Sequence, residues 1–170
     1  MAGSQKKVVV RLFSSGLAHG YLPGAGFAGA AEVILLDTAG RNSPLPLNDI
    51  KMITYVRDFN LSDTVDPERM GRRAFQGRPR GEGLWVRIFF RDGDTLEGIS
   101  DAGLPLLDAA AGDAGLFLTP PEVRSNALRV YVPRLAMSNL EVVGVVTTQA
   151  RRKPVARTEE RPQPRLFEDG

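Results

Sequence analysis

Cysteine is absent from the 170 residues, and histidine and tryptophan occur once each, as His19 and Trp85. Without cysteine there is neither a disulfide framework nor a thiolate metal site. A lone histidine lacks the companions of a usual zinc set and the partner that activates a nucleophile. No metal site, cofactor or catalytic residue is therefore expected. No apolar run approaches the ~18 residues that cross a bilayer. The start, Met1-Ala2-Gly3-Ser4-Gln5-Lys6-Lys7, leads straight into a strand-like segment without a signal-peptide core, so cytoplasm is the expected location. A surplus of one charge is missing too. Residues 1–150 hold 16 Lys/Arg against 16 Asp/Glu, and the net +2 comes from the tail, with six basic and four acidic residues. Such a balance gives little support for a nucleic-acid-binding face on the core.

What the chain does hold is an internal duplication, running from about Lys7 to Phe59 and again from about Gly83 to Val146. Val10-Arg11-Leu12-Phe13 aligns with Val86-Arg87-Ile88-Phe89. Turn glycines follow (Gly16, Gly93), then a glycine inside the next segment (Gly20, Gly98). Apolar runs come next, Val33–Leu36 and Leu116–Leu118. The closing blocks match without a gap: Pro46, Ile50, Ile53 and Val56 keep the offsets of Pro133, Met137, Leu140 and Val143. A repeated unit of this size is near the lower limit for folding alone, so the copies are expected to pack on each other.

Each copy reads as short strands. Val8–Phe13 is β-branched and aromatic, and Leu17–Leu22, Glu32–Asp37 and Met52–Arg57 follow between turn residues. Leu45–Leu47 is extended, and Asn48-Asp49-Ile50 suits a single helical turn. In the second copy Asp92-Gly93 between Trp85–Phe90 and Thr95–Ile99 is a strong hairpin signal, because a type I′ turn needs positive φ. Leu128–Val132 is a further strand, and Leu104–Ala111 has the composition of a short helical turn. The fold class expected is all-β.

This order of strands resembles a small SH3-type barrel, and Val86 to Ile99 resembles the opening of an Sm-like barrel. In such barrels a mid-strand glycine lets sharply curved backbones approach. The RNA-binding loops of the Sm family have no counterpart here, since Asp37-Thr38-Ala39-Gly40-Arg41-Asn42 departs from their signature. Gly115–Asn126 leading into Arg129-Val130-Tyr131-Val132-Pro133 is similar to the distinctive segment of an uncharacterised bacterial domain family. That resemblance implies a fold and no activity.

Four features invite a functional reading. Gly24-Ala25-Gly26-Phe27-Ala28-Gly29 spells the dinucleotide fingerprint, but only Ala30 and Ala31 precede the next strand, so no helix receives a pyrophosphate. Between the copies lie Arg69, Arg72, Arg73, Arg78 and Arg80, with Phe75 among them and Trp85 beyond. Arginines beside aromatics grip phosphates and stack on bases. Arg69 and Arg73 also resemble the arginine pair with which PilZ domains hold cyclic di-GMP, although the second PilZ element is missing. The bland alternative is a solvated spacer with Asp63, Asp66 and Glu68. In the long loop Thr119–Asn126, Arg124, Ser125 and Asn126 either contact a polar partner or turn the chain into the next strand. Finally, Gln163, Leu166 and Phe167 form a Gln-x-x-Leu-Phe pattern in a polar tail, resembling the peptide that docks on the bacterial sliding clamp.

These observations predict two tandem SH3/Sm-like barrels (residues 1–60 and 83–147), an Arg-rich linker (61–82) and a disordered tail (148–170). The expected function is a non-enzymatic binding or adaptor module with protein partners. Nucleic-acid or cyclic-dinucleotide binding through the linker is the alternative. The oligomeric state stays open.

Overall fold

A computed structural model describes residues 4–14, 16–23, 30–100, 115–122 and 124–147. Within them each half of the chain runs through the same element order. The first half has β1 (Gln5–Leu12), β2 (Leu17–Pro23), β3 (Glu32–Leu36), β4 (Asn42–Pro46), a 3-10 turn over Leu47–Asp49, and β5 (Ile50–Val56). The second has β6 (Gly83–Phe90), β7 (Thr95–Ser100), β8 (Gly115–Leu118), β9 (Ala127–Pro133), a 3-10 turn over Arg134–Ala136, and β10 (Met137–Val146). All-β structure is what the alternating apolar runs predict. The Asp92-Gly93 turn forms, with Gly93 at φ +92° and Phe90 N–H donating to the Asp94 carbonyl at 2.8 Å. Asp92 is not at positive φ, so the turn is not the type I′ that the sequence suggests. The mid-strand glycines have the expected reason: a Cβ on Gly20 would meet the Leu36 carbonyl oxygen at 2.3 Å. A Cβ on Gly98 would meet the Leu118 side chain at 2.9 Å.

Closure is where the structure departs from the expectation. The strands form a seven-stranded sheet, β4-β3-β2-β1-β5-β9-β8, and a three-stranded sheet, β10-β6-β7. Neither closes into a barrel. In each half the fifth strand pairs with the first, but β5 gives its other edge to β9 of the second half. Thus β9 is occupied by the neighbouring copy and is not available to β10. An isolated bridge between Ile99 and Thr119 is the link from β7 toward β8.

Registers also correct the alignment of the copies. Val10 pairs with Ile53, whereas Leu140, the counterpart of Ile53, pairs with Ile88. Val8 lies opposite Gly20 and Val86 opposite Gly98. Val10 therefore corresponds to Ile88 and Arg11 to Phe89, two residues away from the sequence alignment. A shift of two keeps every side chain on the same face of a strand. Alternation alone does not detect it.

The cores exchange residues in the same way. Met52 from the first half lies in the cluster of Val86, Ile88, Phe90, Leu116 and Val130. Tyr131 from the second lies with Val8, Val10, Ile50 and Ile53, with Phe117 packed alongside. The halves form one packed unit. The segment 101–114, with the expected turn at Leu104–Ala111, and the tail 148–170 lie outside the described residues, as do Gly24–Gly29.

Candidate binding surface

The Arg-rich linker is fastened to both halves by buried carboxylates. Glu68, 1% exposed, receives two hydrogen bonds from the Arg11 guanidinium of β1, with Nη2 at 2.7 Å from Oε2. Arg11 also donates to the Val65 carbonyl. At the other end Glu97 of β7, also buried, accepts from the Phe75 backbone N–H at 3.0 Å and from Trp85 Nε1 at 3.1 Å. Its second oxygen accepts both Nε and Nη2 of Arg87. The Glu97 N–H in turn donates to the Arg73 carbonyl at 2.7 Å. Burial alone would push the Glu97 carboxyl up. The bonds from Phe75, Arg87 and Trp85 outweigh that and hold it below its ordinary range.

This anchoring sorts the five arginines into different environments. Arg72, Arg78 and Arg80 line one hollow of about 370 Å³, together with Phe75, Ile99 and Pro121. All three are exposed, and among the described residues none is paired with a carboxylate. Arg73 does not line this hollow; with Arg72 it lines a second one beside Asp66 and Glu68, and its Nη1 lies 3.8 Å from Asp94 Oδ2. Arg69 occupies the left-handed region at φ +47°, its N–H donating to the Asp66 carbonyl in a tight turn, and it lines neither hollow beside the linker. The Arg69/Arg73 pair is thus split between two sites. Phe75 turns its ring edge-on to Trp85, centroids 5.7 Å apart and planes at 75°, and is half-buried there.

Of the loop residues, Ser125 and Asn126 face inward. Asn126 Nδ2 donates to the carbonyls of Asp58 and Glu68, and its Oδ1 accepts the Asp58 N–H at 2.9 Å. Ser125 Oγ donates to the Ala127 carbonyl, and Ser125's own carbonyl accepts Arg57 Nε. These two residues tie the start of β9 to the end of β5 and to the linker. Arg124 is exposed in the turn. His19 lies in β2 with its ring edge-on to Phe59 at 5.8 Å. Gln163, Leu166 and Phe167 lie outside the described residues.

The junction between halves has its own charged knot. Lys51 of β5 reaches across to both Asp92 and Asp94 of the β6–β7 turn. Arg91 stacks on the Phe13 ring, 3.9 Å from its centroid, and donates to the Asn48 carbonyl. Sequence reading gives Arg11, Arg87 and Glu97 no role and sets Glu68 in a solvated spacer, whereas Glu68 is buried and paired with Arg11. One signal for them is present: each arginine interrupts a strand of buried apolar residues, where a charge persists only if paired.

Among the described residues no three His, Asp or Glu side chains gather in a way that holds a metal ion. No helix among them is long and apolar enough to cross a membrane. No curated protein and no solved structure matches the chain. A family model described as a family of unknown function (DUF6982) matches residues 4–144, and the chain belongs to that family.

Proposed function

We propose that this chain is a non-enzymatic binding module that takes an acidic, extended segment of a protein partner in the hollow of Arg72, Arg78 and Arg80. The observation that carries the reading is three exposed guanidiniums, without a carboxylate partner among the described residues, around one concavity also lined by Phe75, Ile99, Pro120 and Pro121. Guanidiniums bind carboxylates in a planar, two-pronged fashion, and a mixed Arg/apolar hollow suits a peptide with acidic and apolar side chains. The buried Glu97 holds Phe75 and the Arg73 carbonyl in place, so the arginines sit on a backbone fixed before the ligand arrives. That lowers the ordering cost of binding. Such a role is that of an adaptor, built on a strand order akin to SH3- and Sm-type barrels but opened to let two copies interlock.

Nucleic acid fits less well. Its affinity rests on many phosphate contacts over a basic surface, whereas residues 1–150 are balanced at 16 against 16 charges. The aromatic nearest the arginines, Phe75, is half-buried against Trp85 rather than standing free. The split between Arg69 and Arg73 likewise weakens the cyclic di-GMP reading.

The test is fluorescence polarisation with a labelled glutamate-rich peptide, a single-stranded oligonucleotide and cyclic di-GMP, on the wild type and on Arg78→Glu/Arg80→Glu. The peptide is expected to bind wild type and to lose roughly tenfold or more in affinity in the variant, as two exposed ion pairs become repulsive. Tight oligonucleotide or cyclic di-GMP binding without peptide binding would replace this reading with the nucleotide one. Peptide affinity unchanged in the variant refutes the site.

A further inference from the structure

The ten strands follow one another in pairing order from β4 at one end to β10 at the other, with the Ile99–Thr119 bridge at the step from β8 to β7. The two terminal strands are not alike. In β4, Leu47 N–H donates to the Ala31 carbonyl just beyond the strand, so odd-numbered residues turn their backbone toward β3 and even-numbered ones turn it outward. The outward positions include Pro44 and Pro46, which have no N–H to offer. At the place of Pro44 the second half carries Tyr131, and there β9 accepts the neighbouring strand β5. Proline thus closes the β4 edge to a further strand.

At the other end β10 is ten residues long, has no proline and pairs with β6 alone among the described strands. Its counterpart β5 is buried at all seven positions between β1 and β9. Val142 of β10 shares a face with its partner Val86, which is 0% exposed, yet Val142 itself is 50% exposed and Val145 59%. The register of β10 on β6 shifts between Met137 and Asn139 and between Val142 and Gly144, and Asn139 Oδ1 accepts the Leu140 N–H, so the edge is interrupted there. Apolar side chains on the core side of a strand that is paired along one edge only, among the described residues, mark a pairing surface.

We propose that two copies of this chain join through β10, edge to edge and antiparallel about a two-fold axis. Three observations select a second copy. The repeat shows the fifth strand pairing on both edges when a neighbour is present. The β4 edge is closed, so head-to-tail pairing of β10 on β4 is blocked and the remaining self-complementary edge is β10 itself. A two-fold centred on Val142 sets Val142 against its mate and Glu141, which is bonded to Arg87, against Val143 of the other copy. No like charges then face each other. This pairing is independent of the arginine hollow.

Sedimentation of the intact chain tests it. The wild type is expected to form a dimer, and Val142→Lys/Val145→Lys a monomer with unchanged circular dichroism, because both side chains are exposed and lysine on an edge repels its mate. Since the chain has no cysteine, Val142→Cys gives a second measure, forming covalent dimers on mild oxidation, while Leu135→Cys, exposed but away from the edge, does not. A wild type that remains monomeric at the highest concentration reached overturns the proposal. So does a dimer that persists in the folded double variant, or equal crosslinking by the two cysteine variants.

Discussion

The strands β5 and β10 hold the same place in the two halves and meet opposite fates. Ile50, Ile53 and Val56 match Met137, Leu140 and Val143, and the first two of each set pack in their own half's core. Between them β5 carries Lys51, Met52, Thr54 and Tyr55, all buried, while β10 carries Ser138, Asn139, Glu141 and Val142, all exposed. The shared positions record the repeat, and the unshared ones record the neighbour. β5 is covered because β9 lies along its second edge. Met52 and Lys51 are therefore devices of the seam between halves, one filling the other half's core and one binding its hairpin turn.

That contrast can be broken by matched truncations. Ile53→Ala removes a fully buried side chain at the seam and is expected to cost about 3–4 kcal/mol in urea unfolding. Leu140→Ala, at the half-buried counterpart, is expected to cost about half as much. Equal costs would mean that β10 is covered as fully as β5.

A smaller effect separates the two hairpins. Arg87 and Glu97 face each other across β6 and β7, where the first half has Val9 and His19. Glu97→Gln is expected to cost about 2 kcal/mol near neutral pH, since it leaves a guanidinium hydrogen bond without its charge. The sign of the pH dependence follows from the lowered pKa. Glu97 contributes stability above the ordinary value of 4.5, and that stability is lost as pH falls through its depressed folded value. The gap between wild type and Glu97→Gln should therefore shrink below about pH 4.5. A gap independent of pH between 7 and 3 would remove Glu97 from the charged network that holds the linker.

Much of the fold was legible because its causes are local. The Asp92-Gly93 turn, the crowded glycines 20 and 98, and the Pro-to-Val closing blocks with their single helical turn all follow from neighbours in the chain. Strand ends moved by one to three residues, as when Val8–Phe13 became Gln5–Leu12. What sequence left hidden depends on distant partners. The barrels stay open because β5 pairs with β9, a choice of edge that alternating apolar residues do not encode. Arginines 72, 78 and 80 were visible as a cluster, but their placement in one hollow depends on Glu68, which ties the linker to the first half, and Glu97, which ties it to the second. Asn126 reads as a turn residue and acts as a clasp over 68 positions of chain.

The central claim is that the halves form one cooperative body, with the linker fixed between them. Val10 is fully buried in the first half, whereas the single tryptophan, Trp85, reports from the second. Urea unfolding of Val10→Ala, followed by Trp85 fluorescence, is the most direct test. The account predicts that the Trp85 transition shifts by the whole destabilisation, about 2 kcal/mol, and coincides with the circular dichroism transition. A Trp85 transition that stays at its wild-type midpoint while the first half melts earlier would contradict it.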